Sequence, residues 1–111
     1  MKLSNFENAI VQIEKLSNYC LNNEHPRGKH KARVFKARLG LESKDAHFIR
    51  DLILNAIEEK DAFFSFKDKF GERYYVDFTI KNENKSAVIR TCWIIKTGET
   101  FPRFTSCYIK E

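Results

Sequence analysis

No apolar run in this 111-residue chain approaches the ~20 residues that a membrane-spanning helix needs. The N-terminal stretch MKLSNFENAIVQIEKL carries Glu7 and Glu14 where a secretion signal needs unbroken apolar residues, so no membrane role and a cytoplasmic location are expected. Cysteine is scarce. Cys20, Cys92 and Cys107 are odd in number and have no CxxC spacing, which argues against a disulfide framework or a zinc ribbon and for buried free thiols in a reducing compartment. Paired carboxylates and HxxxH or DxD-type clusters are missing, so a metal-dependent nuclease is not expected. GxxxxGK[ST] is missing too, and with it a P-loop. Neither a metal nor a cofactor is implied. Repeats, low-complexity tracts and linkers are absent, and residues 1–111 read as one domain.

The most telling absence is of acid. No Asp or Glu falls between Glu24 and Glu42, while His25–Gly40 (HPRGKHKARVFKARLG) holds six cations: Arg27, Lys29, Lys31, Arg33, Lys36 and Arg38. Set those six apart from the 20 Lys and Arg, and the remaining 14 face 15 Asp and Glu. The formal charge of +5 is therefore focused in one segment, with two of the three histidines beside it. A focused cationic surface points to a polyanion as partner, and RNA is the leading candidate.

Hydropathy periods divide the chain into two halves. A short helix is expected at about Glu14–Asn22, with Leu16, Tyr19 and Cys20 on one face. Asn-rich NNEHPRG reads as a loop, and a second helix as Lys29–Leu39 with Gly40 as its C-cap. The third follows Ser43, a candidate N-cap, and carries the apolar stripe Ile49, Leu52, Ile53, Ala56 and Ile57. Beyond it the period becomes two. Arg73–Ile80, Ala87–Ile95 and Phe104–Ile109 read as strands joined by short turns, with a further strand within Asp61–Phe66. The expected fold is α+β: two or three helices packed on a three- to four-stranded antiparallel sheet.

On the second helix Ala32, Phe35 and Leu39 fall on one narrow arc, leaving the cations available. Lys29, Arg33 and Lys36 lie on one flank, Lys31 and Arg38 on the other, and His30 opposite the seam. The missing i,i+4 acids leave like charges facing each other, at a cost of tenths of a kcal/mol per pair, which a binding role would explain. At the helix N-terminus a phosphate is expected to meet backbone N–H groups, Arg27, Lys29 and His30 at one place, with Gly28 allowing close approach. On the strands, Arg90 sits in an apolar run, on one face with Val88, Cys92 and Ile94. Arg103, Thr105 and Cys107 alternate with Phe104, Ser106 and Tyr108. Strict alternation would let the Arg–Thr row meet Arg90 across the pair. Trp93 is open to two readings, a core residue or a platform that stacks a base, and Tyr108 shares them.

Several of these segments are familiar together. A Leu-x-x-Tyr helix (Leu16–Tyr19), a His-Pro-x-Gly loop (His25–Gly28), a Lys-Ala-Arg-x-Phe helix (Lys31–Phe35) and a closing Trp…Pro-Arg-x-Thr-x-x-Tyr hairpin (Trp93–Tyr108) resemble an uncharacterised family of small bacterial domains. The architecture is more loosely similar to the barnase–EndoU–colicin–RelE superfamily of metal-independent ribonucleases, many of them toxins with a cognate antitoxin or immunity protein. That resemblance implies a base, an acid and fixed cations around an RNA phosphodiester. Imidazole titrates near neutrality, so His30 is the candidate acid or base. Lys31, Arg33, Arg90 and Arg103 are candidates for transition-state charge, and Thr105 or Tyr108 for orienting the phosphate. Arg27, Lys29, Arg33, Lys36 and Tyr108 are the expected nucleic-acid contacts, with His25, Trp93 and Ser106 as further candidates. His25 either caps the helix or faces the site. His47 reads as a packed or surface residue. Three activities fit these residues: a metal-independent endoribonuclease, a non-catalytic nucleic-acid-binding module, and a domain whose basic helix docks an acidic partner.

Overall fold

The computed structural model describes residues 1–111. Helices come first and strands second. A 3-10 turn at Phe6–Asn8 precedes α1 (Ile13–Lys15), which continues without a break into a π-helical stretch, Leu16–Cys20. α2 is Lys29–Leu39 and α3 is Ala46–Glu59, entered through a 3-10 turn at Ser43–Asp45. β1 (Phe63–Asp68), β2 (Gly71–Asn82), β3 (Lys85–Lys96) and β4 (Arg103–Ile109) form one antiparallel sheet in sequence order. The fold is the expected α+β arrangement. No helix is long and apolar enough to cross a membrane.

The helices cover one face of the sheet. Phe35 and Leu39 from α2, Ile49, Ile53 and Ile57 from α3, and Leu16 and Cys20 from the π-helix share a core with Val76, Ile80, Ile89, Trp93, Phe104 and Cys107. The seam Ala32, Phe35, Leu39 is buried as the wheel requires. Trp93 is 1% exposed, so it is a core residue and no base can stack on it. Its indole Nε1 donates to Thr91 Oγ1 (2.9 Å), which in turn donates to the Val76 carbonyl (2.7 Å). A buried indole N–H is thereby satisfied, where leaving it unpaired costs ~1–3 kcal/mol.

Two end signals differ from expectation. Ser43 does not cap α3. The N-cap of α3 is Asp45, and the 3-10 turn before it is closed by a reciprocal capping box of Glu42 with Asp45, whose Oδ2 accepts from Glu42 N at 2.9 Å. The Ser43 hydroxyl instead donates to the carbonyls of Ser17 (2.9 Å) and Leu21 (3.1 Å), tying the entry of α3 to the first helix. That helix ends in a wider turn than an α-helix, with Leu21 N donating to Leu16 O at 2.9 Å. Gly40 closes α2 as expected, at φ 69°, where a β-carbon would be strained.

The sheet carries one feature that sets its two faces. Between β3 and β4, Cys92 pairs with Ser106, but Trp93 pairs with Phe104, so Thr105 is an extra residue in β4. This bulge reverses the parity of the strand. Arg103, Thr105 and Cys107 therefore do not share a face. Cys107 turns into the core at 0% exposure, across from Thr91, while Ser106 and Tyr108 join Cys92 and Arg90 on the face away from the helices. The parity of Phe104 is likewise separated from that of Ser106 and Tyr108.

α2 is held to the first helix by a close approach. A β-carbon on Gly28 would overlap the carbonyl oxygen of Tyr19. Gly28→Ala is expected to lower stability by roughly 1–3 kcal/mol through overpacking against rigid backbone. Urea unfolding of the variant against the wild type checks this.

Candidate functional site

The loop that enters α2 is organised by His25. Its Nδ1 accepts from the backbone N–H of both Arg27 and Gly28 (3.0 Å each), and its carbonyl accepts from Lys29 N (3.0 Å). The ring meets Tyr19 edge-on, with centroids 4.9 Å apart. His25 therefore closes the loop ahead of α2, whose N-cap is Gly28 with no side-chain cap, and its ring also lines a cleft. With Nδ1 committed as acceptor, the neutral ring carries its proton on Nε2. The expected phosphate site at this helix end has fewer free donors than the sequence suggests. The N–H groups of Arg27, Gly28 and Lys29 are already used, and the close approach allowed by Gly28 is to Tyr19.

Lys31 is the cation of α2 that reaches the sheet. Its Nζ donates to Tyr19 OH (3.2 Å) and stands 4.9 Å from the Tyr19 ring centroid and 5.7 Å from that of Tyr108. The others disperse. Arg33 and Lys36 line a separate cleft with Asn23 and Lys44, and Lys36 Nζ lies 3.5 Å from Glu42. Arg38 lies 3.5 Å from the Glu111 side chain, and Arg27 is exposed in the loop. Lys29 is half-buried at the first position of α2. His30 is exposed, in a shallow groove between Val34 and Tyr108, and touches neither Arg90, Arg103 nor Thr105 through any hydrogen bond or ion pair. A solvent-facing imidazole opposite the seam follows from the helical wheel itself.

Two clefts share an edge at Arg73 and Thr105: one where the first helix and the His25 loop meet β4, the other across the strands of the sheet. The polar one, of about 590 Å³, is lined by Glu14, Lys15, Asn18, Tyr19, His25, Arg73, Thr105 and Ser106. The aromatic one, of about 220 Å³, lies on the outer face of the sheet and includes Phe66, Tyr75, Arg90, Cys92 and Tyr108. Arg73 and Thr105 belong to both. The bulge puts Thr105 at this junction, where its hydroxyl donates to the Cys92 carbonyl (3.0 Å).

The arginines of this face are held by carboxylates. Arg90 makes a two-pronged pair with Asp77 (2.9 and 3.0 Å) and lies 3.9 Å over the Tyr75 ring. That pairing takes Asp77 below the usual carboxylate range and Arg90 above its own usual value. Arg73 Nε donates to Asp68 (3.0 Å). Arg103 is closed on Glu99 (2.8 and 3.0 Å), which lowers the Glu99 carboxyl, and it lines neither cleft. Arg103 is thus outside the candidate site.

Glu14, Lys15, Tyr19, Arg73 and Tyr75 were not marked as site residues by their sequence context. For Arg73 and Tyr75 a signal existed: both sit on the polar parity of β2, in register with Ile94 and Cys92. For Glu14 and Lys15 there was none, since their place beside β4 is set by how the first helix packs on the sheet. The thiols are set apart from this chemistry. The Cys20 sulfur accepts from Cys107 N (3.3 Å) inside the core, and burial pushes the Cys92 thiol up. No group of three or more His, Cys, Asp or Glu is arranged to hold a metal ion.

Helices leading into a four-stranded antiparallel meander, with two clefts joined at Arg73 and Thr105, define a small α+β domain. A family model for a domain of unknown function (DUF6883) matches residues 2–111, and the chain belongs to that family. No curated protein and no solved structure gives a significant match.

The Asp77–Arg90 pair has a signature in pH. The Asp77 carboxyl titrates lower in the folded chain than its unfolded value near 3.9, so the unfolded chain binds more protons in that window. The stabilisation is present above pH ~4 and is lost as pH falls through the folded value. Asp77→Asn is expected to lower stability at pH 7 and to flatten the decline between about pH 5 and pH 3, as read by urea unfolding across that range.

Proposed function

We propose that this domain is a metal-independent endoribonuclease whose active site is the polar cleft beside β4. The observation that carries the reading is the gathering of a carboxylate (Glu14), two cations (Lys15 and Arg73), a fixed imidazole donor (His25), two hydroxyls (Thr105 and Ser106) and a lysine-backed phenol (Tyr19) around one opening. Helices preceding an antiparallel meander are also the architecture of the ribonuclease superfamily that the sequence loosely resembles, which is analogy of fold alone.

In this mechanism Glu14 takes the proton of the 2′-OH, and the 2′ oxygen attacks phosphorus. Lys15 and Arg73 offset the charge that builds on the phosphate oxygens, and His25 donates to one of them through Nε2–H. The 5′ oxygen leaves with the Tyr19 hydroxyl proton, which Lys31 Nζ, 3.2 Å behind it, replaces. The products are a 2′,3′-cyclic phosphate and a free 5′-OH. An acidic partner seated over these cations would silence the site, as an antitoxin or immunity protein does for a bacterial toxin, and the RNA substrate places the activity in the cytoplasm.

A second reading, RNA binding without cleavage, draws on His25. Its Nδ1 accepts from two backbone N–H groups, which fixes the ring as a hydrogen-bond donor to a phosphate whether or not cleavage follows. One assay separates the two. Single-stranded RNA and the DNA of the same sequence are incubated with the purified domain in EDTA. Cleavage of RNA to cyclic-phosphate ends, with DNA intact, is expected. Glu14→Gln is expected to slow it by roughly 10²–10⁴-fold and His30→Ala to leave it unchanged. Folded protein that binds RNA and leaves it whole would favour the second reading.

A further inference from the structure

We infer that the aromatic cleft on the outer face of the sheet is a nucleobase site for single-stranded nucleic acid. The inference rests on the reading of the adjoining polar cleft as a phosphodiester site. The two clefts share Arg73 and Thr105, so a ligand whose phosphate lies in one has its next group at the mouth of the other. A base joined to its phosphate through a sugar is such a ligand.

The chemistry of the walls fits a flat, polar-edged ring. Tyr75 is stacked under the Arg90 guanidinium at 3.9 Å, and the Arg73 guanidinium lies 5.6 Å from the Phe66 ring centroid. Alternating π-faces and guanidinium planes are what bases stack on. Tyr108 stands across from Arg90 and brings its ring to 5.7 Å from Lys31 Nζ. The carboxylates of Asp68 and Asp77 hold both guanidiniums in place, so little side-chain freedom remains to be lost on binding. A sheet covered by helices on one side has no need of aromatics on the other. Yet Phe66 is 52% exposed on edge strand β1, outside the core. A structural role in the core does not account for it.

Phe63 supplies a matched control. It is on the same strand and equally exposed at 52%, but it stacks on Tyr75 (5.5 Å) without lining the cleft. The test uses a single-stranded deoxyoctamer, which has no 2′-OH to be cut, and an octamer of the same length with abasic sugars. Binding is read by fluorescence anisotropy at low salt. The wild type is expected to prefer the base-bearing strand by about tenfold or more. Phe66→Ala is expected to lose that preference with abasic binding unchanged, and Phe63→Ala to keep it. Equal affinity for the two strands overturns the base site, as does a preference that survives Phe66→Ala. So does failure of both strands to bind. RNA cleavage is scored separately, so an active enzyme with no base preference refutes the base site alone, and an inactive one with the preference refutes the cleavage alone.

Discussion

The backbone of Gly28 lies against the carbonyl of Tyr19 with no room for a side chain, and the site is assembled around that contact. It fixes α2 to the π-helical turn. The imidazole of His25 then closes the loop by accepting from two successive N–H groups, and Lys31, one turn further on, reaches the Tyr19 hydroxyl. The turn in its turn is seated on β4 through the Cys20 sulfur, which accepts from Cys107 N, and on the entry of α3 through Ser43. A basic helix with a seam three residues wide is a weakly anchored element. These local ties supply the orientation that its thin apolar stripe does not.

Charge is organised differently on the two sides of the cleft. The helix contributes cations with few acids near them, which suits attraction of a polyanion at a distance. On the sheet each arginine is clamped by a carboxylate: Arg73 by Asp68, Arg90 by Asp77 and Arg103 by Glu99. Clamped guanidiniums add little net charge, but they present fixed planes and fixed donors. The helix side thus gathers ligand, and the sheet side gives it a geometry.

Much of the fold could be read from residue order. The seam of α2, the stripe of α3 and the alternation in β2 each follow a period that burial imposes, and each is found where the period places it. The site was less legible, for three physical reasons. His30 and His25 are similar as residue types, and only the path of the loop decides which one faces the sheet. Glu14 and Lys15 lie on the short first helix, and their seat in the cleft with Thr105 and Ser106 is set by tertiary packing that no local period records. The bulge at Thr105 breaks the assumption that alternate residues share a face, so that Arg103, Thr105 and Cys107 part company. Arg90 was legible as an anomaly, an arginine in an apolar run, and the explanation is Asp77, its direct partner across β2 and β3.

The bulge also makes β4 a strand that counts. Upstream of Thr105 one parity faces the core, and downstream the other does. Losing Thr105 would restore regular pairing and leave Phe104, Cys107 and Ile109 all facing the core, so the extra residue serves not burial but the junction of the two clefts, which would lose its one shared hydroxyl.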